Sequence, residues 1–156
     1  MRWLIVFLFV LCGSVGSVNK ENSEPWIVQI NNKDGWHDVY ATREGLIGKR
    51  TATGHKIKKK DIFVALPSRK ALHKTVVVSY KNIKVICEVL DVGPHSISDQ
   101  YWLKNKRPLA EKGKRIPHRW GRAKNKAGID LSDGLWDEFE IKKGKGIVKV
   151  KWKFLK

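Results

Sequence analysis

The sequence predicts a mainly β domain of short strands, with one or two short helices and a long basic loop. Three observations carry that expectation. Val148, Val150, Trp152 and Phe154 alternate with Lys149, Lys151 and Lys153, the period of two that gives a strand one apolar and one wet face. Residues 75–80 are rich in β-branched side chains and are followed, after Lys81-Asn82, by a second run over residues 83–91, which reads as a hairpin. Helical signals are confined to one stretch after Ile129.

The chain has 156 residues, of which 42 % are hydrophobic, and seven tryptophans. That much apolar surface offsets the ordering entropy of a single domain and argues against disorder. The first residues are of a different kind. Arg2, the ten-residue apolar run 3–12 and the small residues 13–17 predict a secretory signal peptide over residues 1–18 and a secreted or periplasmic location. The run is shorter than the ~20 residues a spanning helix needs. A lipid anchor through Cys12 is the alternative, and it is disfavoured because Leu11 stands where such signals carry a small residue.

Removing the signal leaves Cys87 without a partner; within Val85-Ile86-Cys87-Glu88-Val89 it reads as a small buried hydrophobe. The five histidines are scattered with no i, i+4 pair, and no Cys/His zinc spacing exists, so neither metal nor cofactor is expected.

Residues 19–38, with Trp26 and Trp36, form an N-terminal extension or a first hairpin around Lys33-Asp34-Gly35. A strand is expected over 39–43, polar turns over 48–60, and an apolar strand over 61–66 that ends at Pro67. In the second arm of the hairpin, alternation puts Ile83, Val85, Cys87, Val89 and Asp91 on one face. The turn at Gly93-Pro94 then leaves Asp91 at the rim of the core. A carboxyl there is partly desolvated, which raises its pKa and suits it to donate a proton; the alternative is a structural carboxylate bonded to turn amides. Further on, Ser132 reads as a helix N-cap, with Leu131 and Trp136 as a hydrophobic staple and Leu135 and Phe139 buried together four residues apart. Asp130, just before the cap, lies near the positive end of the helix and is expected to stay ionised. If the two meet in space, Asp91 and Asp130 are an acid and base pair.

The formal charge is +17, or about +16 once Arg2 leaves with the signal, a field that concentrates the protein on polyanions. Residues 95–128 hold ten basic side chains against Asp99 and Glu111, together with Pro108, Pro117, Gly113 and Gly121. Loops of that length inside a domain are usually functional or disordered. Its Tyr101, Trp102 and Trp120 are suited to stacking on sugar rings while the cations meet an acidic polymer.

Taken in order, five motifs resemble a known family. Ala41-Thr42-Arg43, Gly48-Lys49-Arg50-Thr51-Ala52-Thr53-Gly54, Val64-Ala65-Leu66-Pro67, Val89-Leu90-Asp91-Val92-Gly93-Pro94 and Gly128-Ile129-Asp130-Leu131-Ser132 look like the rare lipoprotein A type of double-psi β-barrel. The resemblance implies a six-stranded barrel over residues 39–156, carrying the 95–128 insertion, with crossed psi loops and a groove for glycan chains. It further implies peptidoglycan lytic transglycosylase chemistry, with Asp91 as acid and base, Asp130 as structural or assisting carboxylate, and Thr51 and His55 in the substrate-binding turn. Two residues depart from the active members: His55 stands in place of a Glu, and Val92 in place of an Arg.

Two functions therefore follow: cleavage of peptidoglycan strands, or non-catalytic, expansin-like binding of a cell-wall polysaccharide. The partner is peptidoglycan or another anionic envelope polysaccharide, met by a monomer. Nucleic acid is not expected, since an export signal precedes the basic loop and no nucleic-acid motif accompanies it.

Overall fold

The structure, a computed structural model, describes residues 35–104, 106–112, 125–142 and 144–156. Six strands close into a barrel: β1 (His37–Arg43), β2 (Phe63–Leu66), β3 (Thr75–Tyr80), β4 (Ile83–Val92), β5 (Ala127–Leu131) and β6 (Val148–Phe154), in the order β1-β5-β2-β4-β3-β6. One α-helix, α1 (Asp133–Glu138), and three short 3-10 turns complete the secondary structure of the described residues. The mainly β, six-stranded expectation is met. The sequence-predicted signal peptide, with Cys12, lies outside the described residues, as do Trp26 and Trp120. Among the described residues no helix is long and apolar enough to cross a membrane.

Two neighbouring pairs, β1 with β5 and β2 with β4, are parallel, while the other four are antiparallel. Parallel neighbours cannot be joined by a tight turn, so the chain must cross the barrel ends between them.

The hairpin forms as read, with Thr75 opposite Glu88 and Tyr80 opposite Ile83; Lys81 takes a positive φ in the connecting turn. β6 alternates as predicted: Val148, Val150 and Trp152 are buried and Lys149 and Lys151 exposed. Inward side chains of every strand fill the barrel, among them Val39, Val64, Val78, Val89, Ile129 and Trp152. Cys87 belongs to this core, and burial pushes its thiol up to about 12, the inert role expected of it.

Ser132 caps α1, accepting the Leu135 N–H at 3.3 Å, and also accepts the Phe63 N–H of β2 at 3.0 Å. One hydroxyl thus ties the helix start to the sheet. Leu131 and Trp136 are both buried, as the staple predicts. Gly134 is required by contact: a Cβ there would lie 2.5 Å from the Asp61 carbonyl oxygen and 2.6 Å from Lys60 backbone atoms.

The 95–128 segment is ordered where it is described. Tyr101–Lys104 and Leu109–Lys112 are 3-10 turns. Buried Asp99 accepts the Leu109 N–H at 2.7 Å, and Arg107 grips Glu111 through two hydrogen bonds of 2.7 and 2.6 Å. The sequence showed neither hydrophobic period because these turns are too short to display one.

Candidate functional site

Four residues stand side by side on the outward face of four adjacent strands. Thr42 of β1 pairs with Asp130 of β5, Asp130 with Ala65 of β2, and Ala65 with Asp91 of β4. Adjacent strands lie about 4.8 Å apart, so the two aspartates are separated by roughly 10 Å along the row. The inward neighbours of this row, Ala41, Val64, Leu66, Val89, Ile129 and Leu131, are core.

Asp91 reaches the row through a break in the alternation. Val64 faces Val89, but the next residue of β2, Ala65, faces Asp91, so Leu90 is an extra residue in β4. A bulge of this kind shifts everything beyond it to the other side of the strand. Period two had placed Asp91 with Val89 and Cys87; the fold places it on the opposite, outward face. Its Oδ1 accepts the Ala52 N–H at 2.8 Å and the Val92 N–H at 2.7 Å. This is the amide-bonded arrangement held open as the alternative for Asp91.

Ala52 belongs to the turn predicted to bind substrate. Thr51 is buried, its hydroxyl 2.8 Å from that of Thr53, and its N–H donates to the His55 carbonyl. Thr51 therefore shapes the turn that aims Ala52 at Asp91. His55 is partly exposed, and its Nε2 lies 2.6 Å from Asp61 Oδ2. That contact, with the Lys58 N–H at 2.7 Å, holds the Asp61 carboxyl below its usual range.

The sequence reading missed Glu44. It follows β1 by one residue, its N–H donating to the Leu131 carbonyl at 2.8 Å, and two residues after Thr42 its side chain returns to the same side of the chain. Its Oε2 is shut off from solvent with no donor. Desolvation first, then the charges of Asp130 and Asp91, push the Glu44 pKa up to about 9. Asp91 is one of the carboxyls whose proximity raises it, and burial beside like charges favours the protonated form of Glu44 at neutral pH.

The nearby helix end was expected to keep Asp130 ionised; burial raises its pKa to about 6, which still leaves it ionised at neutral pH. Desolvation outweighs the dipole of a helix only six residues long. The Thr42 hydroxyl donates to Asp130 Oδ1 and opposes the rise, as does the charge of His95. Gly93 leaves room on the other side, since a Cβ there would be 3.0 Å from Asp130 Oδ2.

Beside Asp130 opens a cleft of about 470 Å³, with Thr42 and Asp130 in its wall and Arg43, His95 and Lys145 around them. His95 is oriented by Asn125, 3.0 Å from its Nε2. The cleft wall includes Asp130 but not Asp91. Among the described residues no three His, Cys, Asp or Glu side chains are placed to hold a metal ion.

The groove-wall role expected of Tyr101 does not fit its burial, and Trp102 packs beside it. Tyr101 is 3 % exposed, its hydroxyl donating to the Gly128 carbonyl at 3.0 Å and accepting from Trp152 Nε1 at 2.8 Å. Trp102 packs edge-on against Tyr101, Trp152 and Phe154, with centroids 5.2–5.8 Å apart. A buried ring such as that of Tyr101 has no face left for a sugar, whereas Trp102 stays partly exposed.

Among solved structures the chain is similar to the Streptomyces papain inhibitor, with a TM-score of 0.48 and 18 % identity over 78 % of this chain and 94 % of that one. It is also similar to the expansin of Clavibacter michiganensis, with a TM-score of 0.45 and 15 % identity. A variant of that expansin in complex with cellohexaose matches at 0.45 and 12 %. In both expansin comparisons 78 % of this chain is matched to half of the other. No curated protein matches the sequence. One family does match, over residues 32–151, and the chain belongs to it: the family described as Domain of unknown function (DUF8814).

Proposed function

We propose that the chain is an exported cell-envelope protein whose barrel binds glycan strands, peptidoglycan being the polymer its charge suits. The observation that carries this reading is the Thr42-Asp130-Ala65-Asp91 row beside a cleft of about 470 Å³. A carboxylate on the wall accepts sugar hydroxyls, and a cationic rim of Arg43 and Lys145 meets acidic groups on the polymer. The five-motif resemblance supports the same reading. The test is co-sedimentation with purified sacculi. Asp130→Asn keeps the shape and removes the charge, and about tenfold weaker binding is expected; binding equal to the parent's would reject the cleft as the glycan site.

A second reading, lytic transglycosylase cleavage, is favoured by the Glu44 carboxyl, whose Oε2 is buried without a donor and whose pKa is pushed up to about 9 near Asp91 and Asp130, so that it can serve as an acid. In that chemistry the Glu44–Asp91 pair gives its proton to the glycosidic oxygen as the C1–O bond breaks. The sugar's 6-hydroxyl then closes on C1 and returns its proton to the pair, with no water consumed. Release of anhydro-sugar products by the parent, abolished in Glu44→Gln and Asp91→Asn, is the expected signature. Sacculi bound for long incubation with no product would leave binding as the whole function.

A further inference from the structure

The barrel carries a second outward row on its other flank. Asp38 of β1 pairs with Lys151 of β6, Lys151 with Ser79 of β3, and Ser79 with Lys84 of β4. These residues, with Lys81 and Lys149, line a groove of about 780 Å³. Nothing in the row of carboxylates on the first flank requires it.

Four ammonium groups in one groove repel each other, so their placement calls for an explanation. Aromatic faces supply part of it: Lys149 Nζ lies 5.4 Å from the centroid of Tyr40 and Lys81 Nζ 5.5 Å from that of Tyr80. Such contacts fix an ammonium without neutralising it. No ion pair joins any of the four lysines to a described residue, and Asp38 is the one acidic side chain in the lining. The groove therefore presents net positive charge to solvent. Along β6, Lys149 and Lys151 repeat about every 6.8 Å, a ladder of point charges that suits an extended chain.

We propose that this groove binds a linear acidic polysaccharide through its charges. Lysines supply charge without the planar fork by which arginine selects individual carboxylates, so recognition is of charge density along a strand. Nucleic acid fits less well. Binding of single strands relies on base stacking, whereas Trp36 is the lone aromatic side chain in the lining and Lys153 Nζ sits 5.4 Å over its ring. That the polymer belongs to the cell envelope rests on the function proposed above; the charge chemistry does not.

The experiment measures binding of hyaluronate, with neutral dextran and a dT20 oligonucleotide beside it, across a salt series. Lys84→Gln/Lys151→Gln is compared with Lys59→Gln/Lys142→Gln, which removes the same charge at exposed positions outside the groove. The groove pair is expected to weaken hyaluronate binding about tenfold and to lower the salt slope by about 1–2, while the control pair stays within twofold of the parent. Equal losses in both pairs, no loss in the groove pair, or dT20 bound as tightly as hyaluronate with the same loss would overturn the proposal. Binding of a neutral peptidoglycan oligosaccharide, read in the same variants, reports on the Asp130 cleft, and its failure alone counts against the earlier reading only.

Discussion

The Glu44 carboxyl lies close to that of Asp91, and this like charge together with burial of Glu44 Oε2 favours a proton on Glu44. Glu44 holds that proton to about pH 9, whereas an unfolded glutamate releases it near the usual 4.5. Between those values the folded protein binds more protons than the unfolded chain, so stability falls as pH rises. The contribution is complete below the unfolded pKa and gone above the folded one. Thermal unfolding followed from pH 4.5 to 9 should show this decline, and Glu44→Gln should flatten it and be the more stable protein at pH 9. A parallel decline in the variant would place the proton elsewhere.

Thr42 is the neutral donor that moderates Asp130. Replacing it by Val keeps the shape and removes the hydroxyl, leaving a buried carboxylate with one donor fewer. The Asp130 titration, at about 6 in the parent, should move further up, and stability at pH 8 should fall by about 1.5–3 kcal/mol. Carboxyl-carbon NMR and denaturant unfolding check the two halves separately.

Gly134 is held by the backbone of the 60–61 segment, and Gly134→Ala pushes a methyl into carbonyl oxygens that cannot rotate away. Destabilisation of about 1–3 kcal/mol is expected. The resonances of His55 should shift as well, because Asp61, its partner at 2.6 Å, moves with that backbone.

His55 bears on Asp61 alone among the acidic groups whose titration it shifts. His55→Ala should let the Asp61 carboxyl return upward toward 3.8 while the Glu44 titration stays in place. Since the lowered pKa stabilises the fold above 3.8 and this stability is lost as pH falls through the folded pKa, the variant should lose stability near neutral pH, and the loss should shrink as the pH falls below 3.8. A shift of Glu44 in this variant would mean the two clusters communicate.

Much of the barrel was legible because its strands obey simple alternation: β6 and the β3–β4 hairpin stand where the pattern put them, and Ser132 caps α1 as its position suggested. What escaped was whatever local periodicity does not encode. The extra residue at Leu90 carries Asp91 to the other face, and a bulge leaves no mark in a hydrophobic pattern. Glu44 stands in a polar turn, where an ionisable side chain looks solvated; only its distance of two from Thr42 hinted that it shares a side with Asp130. Tyr101 and Trp102 lie in a basic stretch that resembles a binding surface, yet Tyr101 belongs to the core and Trp102 packs against it.

Closure of the sheet has a consequence for any future ligand. A seamless cylinder offers no free row of main-chain donors and acceptors, so a guest cannot dock by adding itself as a seventh strand. Recognition is left to protruding side groups and loop amides. Selectivity on either flank can therefore be rewritten residue by residue while the hydrogen-bonded frame stays untouched.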